Sequence, residues 1–273
     1  MNSIGLVGAS GFIGKHIYQQ RNEATSFIPL QHRGSIKEIQ LSLSSFNNLI
    51  KDSQASIIYL AENNDISEAE KKGKDYIQDN ISRLKFFLDN SHAKIIYASS
   101  VDVYGDKSDQ PHLPEKNLVP FNIYAQSKFE CEKLVLAAGG TVARISNVYG
   151  FGMSSSNIIS EILSQITDPN IKIIQIRDGS PKRDFINVHD VANCLIQMAK
   201  EPKLGIYNVG SGETISMKDI AWHVLSIFNL SDCKIIEKNP SSSSSTIFLD
   251  ITSTVNEFDW RPKINLQQGL KSL

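Results

Sequence analysis

A chain of 273 residues, 41% of them hydrophobic, holds enough apolar material for one large core or two modest ones. Its 28 basic and 29 acidic side chains leave a formal net charge of -1, which excludes a field that would draw it to nucleic acid or to an anionic membrane. No apolar run reaches the length of a membrane span and no basic-then-apolar leader precedes the first strand, so the expected location is the cytoplasm.

The first element expected is a strand over Ile4-Gly5-Leu6-Val7, ending in glycines spaced G-x-x-G-x-x-G at Gly8, Gly11 and Gly14. An apolar-periodic segment from Phe12 to Tyr18 follows at once, so the pattern reads strand, tight turn, helix. Gly8 permits the turn, Gly11 lets a pyrophosphate approach the backbone, and Gly14 lets helix and strand pack closely; the helix N-terminus then offers unpaired N–H groups to phosphates. Ala24 to Leu30 is expected as a second strand, followed by Gln31-His32-Arg33-Gly34. An acid here would accept ribose hydroxyls, and none is present; Arg33 is either a solvated loop residue or a contact for a 2′-phosphate. The link to Ile39–Leu43, taken as a third strand, leaves no room for a regular crossover helix and implies a trimmed adenine pocket.

Ser56 to Leu60 is a continuous apolar run with the character of a buried parallel strand. Ser67 to Asn90 reads as one long amphipathic helix with Ile77, Ile81, Leu84 and Leu88 on its core stripe. Lys94–Ala98 and Thr141–Ile145 are further buried strands, and strand and helix alternate through the first 150 residues, predicting a doubly wound parallel α/β sheet. Beyond Gly150 come a small-residue loop at 151–157, a short helix at 158–166, a strand at 171–176 and a turn at 178–181. A helix over 189–200, a strand over 205–210 and an amphipathic helix over 217–228 follow, and the serine run Ser241–Ser245 reads as a surface loop. Cys131, Cys194 and Cys233 are widely spaced without a C-x-x-C pair, and the six histidines show no ligand spacing, so reduced thiols and no metal site are expected.

Tyr124 and Lys128 are spaced i, i+4 in a helix expected over 124–138, which puts phenol and ammonium on one face. An ordinary phenol, with a pKa of about 10, is a poor base at neutral pH, and a neighbouring ammonium together with a bound nicotinamide of positive character is expected to lower it. Ser99-Ser100 ends a buried strand two dozen residues upstream, at the strand end where α/β sheets bind ligands.

With these residues in view the sequence resembles the extended short-chain dehydrogenase/reductases, the NAD(P)-dependent epimerase/dehydratase group acting on nucleotide sugars. The resemblance rests on GASGFIG (8–14), YASSVDVYG (97–105), YAQSK (124–128), ARISNVYG (143–150), RDFINVHDVA (183–192) and YNVGSG (207–212). It implies an α/β Rossmann fold with a smaller α+β C-terminal substrate domain: residues 1–150, rejoined by 184–210, would bind the dinucleotide, and 151–183 with 211–273 the substrate. It implies Ser100, Tyr124 and Lys128 as catalytic residues. Cofactor contacts would come from Gly8, Ser10, Gly11, Phe12, Ile13 and Gly14, then from Arg33, Leu60, Ala61 and Asn80 together with Tyr124 and Lys128. Substrate contacts would come from Ser100, Val101, Asp102, Asn147 and Arg183, the last on nucleotide phosphates.

Two departures from the family pattern matter. Val101 and Asp102 stand where dehydratases carry an Asp-Glu pair, so dehydration lacks its acids. Acids expected after strands two and three are replaced by Gln31 to Arg33 and by Ser42, which favours an exchanging NADP(H) over a retained NAD(H). The chain is also closer in length to the ketoreductases that complete deoxysugar nucleotides than to the epimerases and dehydratases. The expected activity is therefore reduction at C4 of a nucleotide-linked 4-keto-6-deoxy sugar. A C4 epimerase with retained NAD is the alternative, and a non-catalytic NADP-binding regulator a third. The resemblance further implies a homodimer through the helices expected at 67–90 and 124–138.

Overall fold

The computed structural model describes residues 2–50, 55–62, 65–105, 110–115, 118–168, 171–241 and 245–273. The first half runs β1 (Asn2–Val7), α1 (Phe12–Gln19), β2 (Thr25–Leu30), α2 (Ile36–Leu49), β3 (Ser56–Tyr59), α3 (Ile66–Lys72), α4 (Lys74–Asn90) and β4 (Lys94–Ser100). A 3-10 turn at Val101–Tyr104 leads on to α5 (Ile123–Ala137), β5 (Thr141–Ile145) and β6 (Asn147–Tyr149). The second half runs α6 (Ile158–Gln165), β7 (Ile173–Ile176), β8 (Lys182–Arg183), β9 (Phe185–Asn187), α7 (Val188–Lys200) and β10 (Gly205–Val209). It ends with β11 (Ile215–Ser216), α8 (Met217–Ile227), β12 (Lys234–Glu237), β13 (Thr246–Ile247), α9 (Thr252–Phe258) and α10 (Leu266–Lys271).

Six parallel strands form one sheet in the order β10-β5-β4-β3-β1-β2. The chain leaves β1 for the β2 edge and returns to β3 on β1's other side, so the topological switch lies between β1 and β3, where open α/β sheets bind ligands. Ile57 and Ile58 of β3 are both fully buried because helices cover both faces. One face buries Ile4, Leu6, Ile58 and Ile96 among residues of α1 and α7; the other buries Val7, Ile57, Ile95 and Val142 among residues of α2, α4 and α5. Each fully buried Leu or Ile stabilises the fold by about 1.5–3 kcal/mol relative to leaving it in water. A third core, around Ile162, Ile174, Phe185, Val224 and Leu270, holds α6, α8 and the small strands of the second half together.

The expected strand at Ile39–Leu43 does not form: these residues lie inside helix α2. Ser35 caps that helix by accepting from the Glu38 N–H while Glu38 reaches back to the Ser35 N–H, a capping box. Ile39, Leu43, Phe46 and Ile50 then recur at helical spacing, with Leu43, Phe46 and Ile50 buried against the sheet. A full crossover helix therefore joins β2 to β3, and β2 is the sheet edge. Pro29 sits within it, and an edge strand tolerates a residue without an N–H on its open side.

The single helix expected over Ser67–Asn90 is two. Gly73, at φ +55°, ends α3 and starts α4, a left-handed conformation that glycine adopts without strain. The core stripe of α4 is Tyr76, Asn80, Leu84 and Phe87, about one residue earlier than expected, with Ile77, Ile81 and Leu88 half-buried at its flank. Of the serine run, residues 242–244 lie outside the described residues. No described helix is long and apolar enough to cross a membrane. Among the described residues no group of three or more His, Cys, Asp or Glu is placed to hold a metal ion.

Candidate active site

The switch-point crevice is built first by the turn after β1. Gly8 takes φ +91°, and a Cβ on it would meet the Leu60 backbone at 3.1 Å, so the two strand ends approach closely here. A Cβ on Gly14 would lie 2.1 Å from the Gly8 carbonyl oxygen, which only glycine avoids. Gly11 caps α1 without a side-chain hydrogen bond, leaving the first N–H groups of the helix open to a ligand. Gly8, Gly11, Phe12, Ile13, Gly14 and Leu60 line one end of a cavity of about 460 Å³. Ser10 is exposed on the same turn, outside that lining.

The other end of this cavity is formed by Ser100, Val101, Asp102, Tyr124, Lys128 and Asn147. Ser100 ends β4, and its Oγ accepts the Asp102 N–H at 3.2 Å, starting the 3-10 turn. Asn122 caps α5 by accepting the Ala125 N–H at 2.7 Å, which fixes the first turn that carries Tyr124. One turn on, the Lys128 ammonium donates to the Ala98 carbonyl at 2.8 Å and meets Glu62 Oε2 at 3.2 Å. The second oxygen of Glu62 accepts from the Tyr97 hydroxyl. The side chains of Glu62 and Lys128 are 2% and 7% exposed, so this is a buried ion pair. Beneath them Glu132 and Arg144 form a second buried pair at 2.6 Å that also accepts from the Ser99 hydroxyl and ties α5, β4 and β5 together.

Tyr124 departs from the expectation that Lys128 would lower its pKa. Burial pushes the phenol well above its ordinary value, the Asp102 and Glu62 carboxylates add to that, and only the hydrogen bond with Ser100 acts the other way. The Lys128 ammonium lies 5.7 Å from the Tyr124 ring centroid and is engaged by Glu62, so its charge is spent locally. Burial also raises the Asp102 carboxyl, opposed by Arg183.

Most of the remaining expected residues lie elsewhere. Arg33, Ala61 and Asn80 border a second cavity of about 500 Å³, where Lys72 and Arg83 join them. Arg83 donates to the His32 carbonyl at 3.3 Å, which brings it beside the Arg33 turn. Asn80 is buried and donates to the Ser127 hydroxyl at 3.0 Å, so it braces α5 next to Lys128. Asn147 lines the first cavity, and its side chain donates to the Asp184 carbonyl at 3.1 Å. Arg183 lies outside both linings, donating to the Ser245 carbonyl and hydroxyl at 3.0 and 2.8 Å. Ser42 does not follow a strand: from helix α2 its hydroxyl accepts the Gln31 N–H at 3.0 Å, so it shapes the loop and occupies no ribose position at a strand end.

Glu62, Arg83 and Lys72 escaped the sequence reading. The signal for Glu62 is an acid just past the end of a fully buried strand, at the ligand-binding end of a parallel sheet. The cradle at α1 fits a dinucleotide on this chain's own geometry, through the open helix N-terminus and the bare backbone at Gly11, while Gly14 lets α1 sit against the Gly8 carbonyl.

The model of the NAD dependent epimerase/dehydratase family matches residues 4–210, about three quarters of the chain. The chain belongs to that family. Membership makes it an NAD(P)-dependent enzyme of the reductase, epimerase and dehydratase class. In sequence it is 27% identical to the dTDP-4-dehydro-6-deoxyglucose reductase of Escherichia coli, over 100% of this chain and 96% of the relative. It is 27% identical to the GDP-6-deoxy-D-mannose reductase of Pseudomonas aeruginosa, over 98% and 94%. Nucleotide-sugar 4-epimerases also align, over less of the chain. Among solved structures, RMD from Pseudomonas aeruginosa complexed with NADPH superposes with a TM-score of 0.87 at 24% identity, covering 100% of this chain and 97% of that one. That likeness gives the family fold.

Proposed function

We propose that this family member reduces the C4 ketone of a nucleotide-linked 4-keto-6-deoxy sugar, with NADPH as the exchanging cofactor. The observation that carries the reading is a single cavity bordered at one end by the open α1 N-terminus and at the other by Ser100, Tyr124 and Lys128. The nicotinamide, when bound, supplies the hydride that the carbonyl carbon takes up. Ser100 donates a hydrogen bond to the carbonyl oxygen, and Tyr124 gives that oxygen its proton, which returns to the phenolate from solvent. Lys128 holds the cofactor's ribose and keeps the phenol oriented. The raised phenol suits this direction, because reduction needs Tyr124 as an acid and the reverse oxidation needs it as a base. The two reductases matched over nearly their whole length support the same substrate class.

Residues 1–150 with 184–210 are read as the dinucleotide-binding part, supported by the place of β10 in the main sheet; 151–183 and 211–273 are the substrate part, supported by their separate core. Arg33 beside Arg83 supports recognition of a 2′-phosphate. A homodimer through α4 and α5 is part of the same reading, checked by sedimentation of the purified chain.

Absorbance of the isolated protein, followed by NADPH oxidation against a panel of nucleotide-linked ketosugars, tests the proposal. Little bound NAD and stoichiometric consumption of NADPH are expected, with Arg33→Asp weakening NADPH more than NADH by about 1–3 kcal/mol. Tightly held NAD, interconversion of two 4-hydroxy sugars and no net cofactor consumption would replace the reductase with an epimerase.

A further inference from the structure

Glu62 is an acid in a place where an acid is expensive. It follows β3 at the switch point, its side chain is 2% exposed, and taking a carboxylate out of water costs several kcal/mol unless it is paired. Its Oε1 accepts from Tyr97, while its Oε2 has no well-aligned hydrogen bond and lies 3.2 Å from the Lys128 ammonium. Lys128 has three N–H donors. One is fixed on the Ala98 carbonyl at 2.8 Å and one faces Glu62, which leaves a third for the cavity that Lys128 lines.

We propose that Glu62 is a positioning residue for the reaction: it orients the Lys128 ammonium toward the cavity with one donor and cancels its charge beside Tyr124, reserving Tyr124 as a proton donor. The inference rests on the reductase reading. Around Glu62 stand Lys128 and Cys131 of α5, Tyr97 of β4, Tyr59 of β3 and Tyr76 of α4. Burial raises the four neutral ones, Tyr76 to about 12, so each stays protonated near neutral pH. Around Tyr124 stand Ser100 of β4, Asp102 of the 3-10 turn, Lys128 and Glu62. With Glu62 ionised, the Lys128 charge is matched and the phenol keeps its proton. Without that carboxylate, an unmatched ammonium on the same helix face stabilises the phenolate.

Two readouts on the full chain test this, beside native far-ultraviolet circular dichroism. In Glu62→Gln the alkaline limb of the pH profile for ketone reduction should move down by about one pH unit or more, and Glu62→Asp, which keeps the charge, should hold it near the wild-type position. In the cofactor-free protein, tyrosinate ultraviolet absorbance, with a Tyr124→Phe control subtracted, should appear at correspondingly lower pH in Glu62→Gln. If Glu62→Gln does not fold, Glu62→Gln/Lys128→Met is compared with Lys128→Met, and the double variant should titrate at lower pH than the single. Unmoved titration, or turnover that falls equally at every pH, overturns the proposal and leaves Glu62 a structural partner only. A wild type inactive on every ketosugar sinks the reductase reading instead, while the cofactor-free titration still decides the role of Glu62.

Discussion

In the proposed reaction the carbonyl oxygen gains a proton, and Tyr124 carries one there from within hydrogen-bond reach of Ser100. Its raised pKa fixes the sign of the pH dependence: the active form is the protonated one, so turnover holds through neutral pH and falls only as alkali removes the phenolic proton. Tyr124→Phe keeps the ring and deletes the proton. Turnover should drop by about two to four powers of ten with cofactor affinity nearly unchanged, measured by steady-state kinetics and by titration of the cofactor. Near-wild-type turnover would remove Tyr124 from the mechanism. At this scale the sequence grouped Ser100, Tyr124 and Lys128 by strand-end and helix spacing, and the structure sets all three along one cavity. It did not reveal their electrostatics. Whether Lys128 tunes Tyr124 or is neutralised depends on Glu62, which is distant from both in sequence and meets Lys128 only through the pairing of β3 with β4.

Helix α2 shows how a local pattern can mislead at the scale of an element. Leu41-Ser42-Leu43 alternates like a strand, yet the wider spacing of Ile39, Leu43, Phe46 and Ile50 and the Ser35–Glu38 box specify a helix, and the longer pattern wins because it buries a whole face. Replacing Ser35 by Ala removes the cap and should cost about 0.5–2 kcal/mol, read as a lower midpoint in urea with an unchanged slope. An unchanged midpoint would mean that burial of Leu43 and Phe46 alone sets the start of α2. Gly73 carries the complementary lesson. A single glycine within an amphipathic stretch is compatible with an unbroken helix, and its left-handed φ follows only from how α3 and α4 dock on α5.

Across the whole molecule, the small strands of the second half were the least legible part. They have two to four residues, too few for any period to show, and their pairing is set by distant partners. Asp184 is where these parts meet. Fully buried, it accepts from the Ser211 N–H and hydroxyl at 2.8 Å, from the Gly212 N–H at 3.0 Å and from Ser146 at 3.1 Å, so it ties the segments after β5 and β10 to the link between β8 and β9. Asp184→Asn turns one acceptor into a donor facing donors. A loss of about 1–3 kcal/mol is expected, seen as a lower melting temperature, together with weaker substrate binding because Asn147 hangs on the Asp184 backbone. Full stability in that variant would show that the third core alone fixes the second half.

The edge position of β2 has a consequence for the protein in a crowded solution. An open strand edge is a template on which another chain can add itself, and growth of that kind ends in insoluble fibres. Pro29 breaks the row of donors such growth requires, and the next residues turn away into the Arg33 loop, so the sheet ends in a terminator. The segment that brings Arg33 to its cavity thereby also works against unwanted polymerisation, so the shape of that cavity and the colloidal stability of the chain hang on the same few residues.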